Sequence, residues 1–193
     1  MARRAWIAVV VIAVAGVAVG CSPGSPGETS TSTTTTSATP TGTPTTDPAA
    51  AQEQAAVDAA TAALTALIAT SDAVGQAGYA DWAPMAGLVG GELRVRAQDL
   101  HEQRAASGSR QTGSTTIDDV TVAEYDAGPD GGGRERVVLD ACVDTTDVDI
   151  LLADGSSRLD PDEPTRLVVR YTVQNTDGLW TVDDVASDPA RTC

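Results

Sequence analysis

The chain has 193 residues, 41% hydrophobic but only 3% aromatic, and its 27 acidic against 12 basic side chains give a formal charge of −15. Once a targeting segment is set aside, this length suits one domain and argues against a multidomain enzyme. All twelve basic residues are Arg, and losing Arg3 and Arg4 with an N-terminal segment would leave 10 against 27, or −17; such a surface repels phosphate backbones and anionic headgroups, which excludes nucleic acid and adsorption to lipid through a basic face.

Met1 to Arg4 form a short basic region, and Trp6 to Val19 form an apolar run of 14 residues. A bilayer-spanning helix needs about 20, so residues 1–20 read as an export signal. The ending Ala18-Val19-Gly20-Cys21 resembles a bacterial lipobox, although that motif favours Leu or Val where Ala18 stands. The resemblance implies that Cys21 is lipidated and anchors the chain to the cell membrane, with the rest displayed on the extracellular side. Ala18-Val19-Gly20 also satisfies the small-x-small rule of ordinary secretory cleavage. Arg3-Arg4 suggests twin-arginine export, but the remainder of that motif is missing. From Ser22 to Asp47 the chain is almost entirely Thr, Ser, Pro and Gly. It lacks the apolar area to offset ordering entropy, so residues 21–47 are expected to be a lipidated Cys and a disordered stalk, of a composition suited to O-glycosylation.

The folded domain is expected over residues 48–193. Asp47-Pro48 is a helix entrance, with Asp as N-cap and Pro at the first helical position. Val57, Ala60, Leu64, Leu67 and Ile68 then share one helical face, and this helix should end between Ser71 and Gly75. A second helix is predicted from Leu88 to Ala106, with Leu93, Ala97 and Leu100 on its apolar side and Gly90-Gly91 weakening its first turn. From Gln111 the pattern becomes β. Thr115 to Tyr125, Arg134 to Asp144, Thr165 to Asn175 and Leu179 to Val185 are rich in Val, Thr, Ile and Tyr and separated by turn-forming stretches. Asp177-Gly178 predicts a type I′ hairpin. Counting outward from it pairs Val173 with Val182, Asn175 with Trp180, and Tyr171 with Asp184. Two helices followed by an antiparallel sheet make an α+β domain.

Helices, then Cys142-Val143-Asp144, then the hairpin Asp177-Gly178-Leu179-Trp180-Thr181-Val182 and Cys193, resemble the NTF2-like lipoproteins of high-GC Gram-positive bacteria. That resemblance covers Asp47 to Cys193. It implies an NTF2-like cone, with N-terminal helices packed on a curved antiparallel sheet around a pocket. The wider superfamily joins SnoaL-like cyclases and ketosteroid-isomerase-like enzymes to many non-catalytic binding and scaffold modules, so the resemblance speaks to fold more than to function. Domains of this kind often pair through their sheets, which makes a homodimer an expectation.

With Cys21 lipidated, Cys142 and Cys193 are the remaining thiols in an oxidising compartment, and a disulfide between them is the simplest arithmetic. Two free thiols are the alternative. His101 is the single histidine, so metal sites and nucleophile-His schemes lack support, and it is expected at the surface or at a boundary. The acidic residues from Asp144 to Glu163 lack the Asp-x-Asp-x-Asp-Gly spacing of a calcium loop and read as solvated. Asp140 and Asp144 should lie on the wet face, opposite Arg166 or Arg170. Tyr171 and Asp184 are expected on the apolar face together, as a general base and an oxyanion partner or as a plain hydrogen bond. Tyr79, Trp82 and Trp180 would be pocket walls or core. No cofactor or metal is expected. The sequence thus reads as an envelope lipoprotein with a non-catalytic binding domain for an envelope protein partner or a small apolar ligand, the alternative being an isomerase- or cyclase-like enzyme.

Overall fold

A computed structural model describes residues 47–129 and 133–193. The export signal, Cys21 and the stalk lie outside the described residues. The first helix, α1, spans Pro48–Gln76, and the Asp47 carboxylate accepts from the Ala49 amide at 3.0 Å. Its buried stripe, Ala56, Ala60, Leu64 and Leu67, recurs every three to four residues and is the face that meets the sheet. By length and composition α1 could cross a membrane, but this stripe instead forms the floor of the domain core.

α1 runs past the expected stop. Gly75 lies within the helix, and its bare Cα faces the Gln111 side chain, which a β-carbon there would meet at 2.8 Å. The helix closes three residues later, where Gly78 takes φ +75°. The Tyr79 amide then donates to the Val74 carbonyl and the Gly78 amide to the Gly75 carbonyl, a Schellman closure.

A single 3₁₀ turn, Ala83–Met85, leads to the second helix, α2, Gly91–Ala106. It begins three residues later than its sequence suggests because Leu88 to Gly90 is claimed by the sheet. Val182 donates to the Leu88 carbonyl at 2.9 Å and Gly90 to the Val182 carbonyl at 3.0 Å. The approach is so close that a β-carbon on Gly90 would lie 2.1 Å from the Asp183 carboxylate.

Six strands follow among the described residues: β1 (Arg110–Thr112), β2 (Thr116–Asp126), β3 (Arg136–Asp144), β4 (Asp149–Leu151), β5 (Arg166–Thr176) and β6 (Leu179–Thr192). β2, β3, β5 and β6 form an antiparallel sheet in the order β2-β3-β5-β6, and β1 pairs with β4 separately. Neither three-residue strand is apparent in the sequence pattern. Val137, Leu139, Ala141, Val169, Tyr171, Val173 and Val182 make the inner face, buried against α1. The hairpin turn at Asp177-Gly178 has positive φ at both residues, 53° and 92°, as a type I′ turn requires. The domain is α+β.

The register holds for Val173↔Val182 and Asn175↔Trp180 and then slips, so that Thr172 faces Asp184 and Tyr171 faces Val185. Asp183 is the extra residue of this β-bulge. Because side chains alternate, one inserted residue exchanges the faces of everything beyond it. Val185 therefore takes the inward position expected for Asp184. β6 also runs seven residues beyond the expected end at Val185, and its tail is tied down by a disulfide between Cys142 and Cys193 with Cα atoms 5.9 Å apart.

β2 is an edge strand and carries two register irregularities, between Asp118 and Thr121 and between Val122 and Glu124. Asp119 takes φ +48° in the first.

Candidate functional site

The five residues expected at a pocket do not converge. Asp184 lies on the outer face, its carboxylate 2.6 Å from the Arg96 guanidinium with both side chains more than half exposed. The Tyr171 and Asp184 proton-transfer pair is therefore absent: the bulge at Asp183 separates them. Trp180 is half-buried and packs against the core beside the hairpin. The remaining three divide between two concavities.

The first concavity is a groove on the sheet. Val143, Leu167, Val169, Tyr171 and Val185 line it, and its volume is about 270 Å³. The Tyr171 side chain is mostly buried, and desolvation pushes its phenol up to about 12. It therefore stays protonated at neutral pH and offers a hydrogen-bond donor rather than a base. Its hydroxyl makes no hydrogen bond within the described residues.

The second is a smaller cavity of about 90 Å³ between the end of α1, the 3₁₀ turn and α2. Val74, Met85 and Ala97 give it apolar walls, and Tyr79, Trp82 and His101 give it aromatic ones. Three local features build it. The Schellman closure turns Tyr79 back over Val74 and holds it at φ 57°, a left-handed conformation that costs an aromatic residue energy and concentrates at functional sites. Asp81 then accepts from the Ala83 amide at 2.9 Å, starting the turn that presents Trp82. Finally, α2 directs Leu93 and Ala97 inward as expected and continues that line through His101 and Arg104, with His101 in the place expected for Leu100.

His101 is consequently 9% exposed, whereas Leu100, which was expected inside, is 43% exposed. The histidine expected at the surface or at a boundary is thus buried. Its ring stands edge-on to Tyr79 at 5.9 Å and to Trp82 at 5.4 Å between centroids. Arg104 lies over the Tyr79 ring at 5.3 Å, and its Nη1 donates to the Tyr79 hydroxyl at 2.5 Å. His101 Nδ1 and Arg104 Nε are buried without a partner. Sequence reasoning named Tyr79 and Trp82 as pocket walls but missed His101 and Arg104, because a histidine and an arginine occupy positions where an amphipathic helix ordinarily places aliphatic residues. The usable signal was their 101/104 spacing, continuing the line from Leu93 and Ala97.

Tyr125 Oη is also buried without a partner, whereas several carboxylates are well satisfied. Asp72, buried near the end of α1, accepts from Gln111 Nε2 at 2.6 Å, from the Thr115 amide at 2.7 Å and from the Thr115 hydroxyl at 3.0 Å, which fastens the helix to the start of β2. On the outer face Asp140 accepts two bonds from Arg170, each at 2.8 Å, and a third from Arg191 at 3.1 Å. The Arg170 bonds, joined by Arg191, hold its carboxyl down at about 2. Asp144 is likewise held below the usual carboxylate value, first by bonds from Thr146 and then by Arg166. Within the described residues no three His, Cys, Asp or Glu side chains cluster to hold a metal. The acidic segment expected to be a solvated loop contains β4, and its Asp154 and Asp160 are spent on local turns.

No family model matches the chain, and neither does any curated protein. Among solved structures, the intermembrane space region of the chloroplast protein ARC6 is similar at 12% identity and a TM-score of 0.41, over 73% of this chain and 97% of that one.

Proposed function

We propose that this protein is an exported lipoprotein, held at the cell membrane through Cys21 and presenting an NTF2-like, non-catalytic binding domain outside the membrane on its Thr/Ser/Pro-rich stalk. The observation that carries this reading is cysteine arithmetic. The sequence has three cysteines, and Cys142 and Cys193 consume one another. Cys21 is the thiol left over, and it stands where a lipobox has its acylated residue. The disulfide itself fits an exported protein, since such bonds persist in oxidising compartments. One helix laid against a face of an antiparallel sheet, with a second against the edge strand β6, supports the NTF2-like reading, and the separation of Tyr171 from Asp184 supports binding over catalysis.

The test is to express the full chain in a lipoprotein-processing host and compare it with Cys21→Ala and with cells treated with a globomycin-type inhibitor. Acylated Cys21 by mass spectrometry, and release of the alanine variant from the membrane fraction, are the expected results. Unchanged mass and membrane retention in both cases would overturn the anchor.

A second reading, capture of a small apolar ligand, is favoured by the groove at Tyr171, where a protonated phenol without a partner stands among Val143, Leu167, Val169 and Val185. A small aliphatic ketone should bind there and lose affinity in Tyr171→Phe; equal binding to both proteins would remove this reading.

A further inference from the structure

We infer that the cavity between α1 and α2 is a binding site for a small organic monocarboxylate, with Arg104 as its charge partner and the aromatic and aliphatic walls as the seat of its apolar tail. The inference is independent of the lipid anchor and of the groove at Tyr171.

The first observation is an imbalance of charge. The protein is strongly acidic, and the arginines that are paired in the described residues, Arg96, Arg136, Arg166, Arg170 and Arg191, all reach carboxylates. Arg94, Arg110, Arg134 and Arg158 are exposed and solvated. Arg104 alone among the described arginines is drawn partly out of water without an acidic partner. It has the Tyr79 hydroxyl and ring instead. A phenol and a π-face attract a guanidinium but do not neutralise it, and withdrawing an uncompensated cation from water is unfavourable. With abundant carboxylates nearby in sequence, including Asp99 and Glu102 on the same helix, the missing partner is a feature of the site.

The second observation is His101. It is more than nine-tenths buried, lines the cavity and leaves Nδ1 unpartnered. Buried polar atoms are ordinarily satisfied, and those that are not call for a reason. The third is the left-handed backbone at Tyr79, strain spent to bring this ring against Arg104 and His101.

The class of ligand follows from the walls. One guanidinium matches one negative charge, so a phosphate dianion would remain half uncompensated. Val74, Met85, Ala97 and Trp82 would exclude a purely polar ion but accept a short hydrocarbon chain. A volume of about 90 Å³ holds several waters' worth of ligand, since a single water needs roughly 10–15 Å³ on this measure, so the acid is a small one. Leu100, half-exposed at the rim, closes over the tail.

His101 is the chain's only histidine, so its ring signals need no assignment. The experiment follows them by NMR in the full chain in detergent micelles, titrated at constant ionic strength with butyrate, 1-butanol or inorganic phosphate. Butyrate should shift the ring signals saturably, with the alcohol and phosphate weaker by about tenfold or more, the worth of one charge-assisted bond. Arg104→Gln keeps a donor for Tyr79 and removes the charge, and it should weaken butyrate by a similar factor while leaving the alcohol unchanged. Ala97→Leu fills the cavity with a good helix former and should abolish the butyrate shift even if the Arg104 variant fails to fold. Butyrate and butanol binding alike, no butyrate shift at saturating concentrations, or a folded Ala97→Leu protein that binds as wild type would each overturn the proposal.

Discussion

The two faces of the four-stranded sheet are made from alternate residues of the same strands, yet they are held by different forces. On the inner face of β3, Val137, Leu139 and Ala141 are wholly buried and contribute through removal of apolar area from water, which involves no titrating group. On the outer face of the same strand, Asp140, Cys142 and Asp144 contribute ion pairs and a covalent link. One strand therefore carries a core that specifies the fold and a surface whose strength depends on the compartment. An exported domain can rely on the second because oxidation makes the disulfide lasting.

The largest expected effect tests the inner face. Leu139→Ala should lower unfolding free energy by about 2–5 kcal/mol in denaturant titration, and a cost under about 1 kcal/mol would show that this face relaxes freely. Next comes the covalent staple. Replacing both Cys142 and Cys193 by Ser should cost about 2–4 kcal/mol, and dithiothreitol should reproduce the loss in the wild type while leaving the Leu139→Ala increment unaltered.

Acid should weaken the outer face. The Asp140 carboxyl lies at about 2 in the folded chain against an ordinary 3.8. A depressed folded value means that its stabilisation is complete above the ordinary value and is lost as pH falls from about 4 toward 2. The melting temperature of the wild type should decline across that window, and Asp140→Asn should show a shallower decline from a lower starting point. The smallest effect is expected for Arg96→Ala, which breaks a pair exposed at both ends. It should change stability by about 0–1 kcal/mol, and a larger loss would mean that α2 depends on that contact for its docking.

Much of this architecture was legible in the sequence because it rests on long periodic segments. α1 and the four long strands announced themselves through repeated Val, Leu and Ala positions, and Asp177-Gly178 fixed its turn through local backbone preference. What escaped notice was decided by contacts between distant residues. β1 and β4 are three residues each and exist because they pair with one another. The bulge at Asp183 is set by Gly90 and Gly91 docking against it, and no signal inside β6 marks it. That single inserted residue dissolved the expected Tyr171 and Asp184 site. The site with the more unusual chemistry lay on α2, where His101 and Arg104 break the apolar pattern. Departures from a helix's local rule are where function is expected to sit.

The irregular edge strand β2 has a consequence of its own. A straight edge offers unpaired amides and carbonyls to any neighbouring chain. Here the two register irregularities interrupt that row, and Asp118, Asp119, Glu124 and Asp126 stud it with negative charge. The opposite edge is covered where Leu88 to Gly90 bonds to β6. Another chain therefore finds neither a regular row of edge groups along β2 nor a free edge at Val182 to extend.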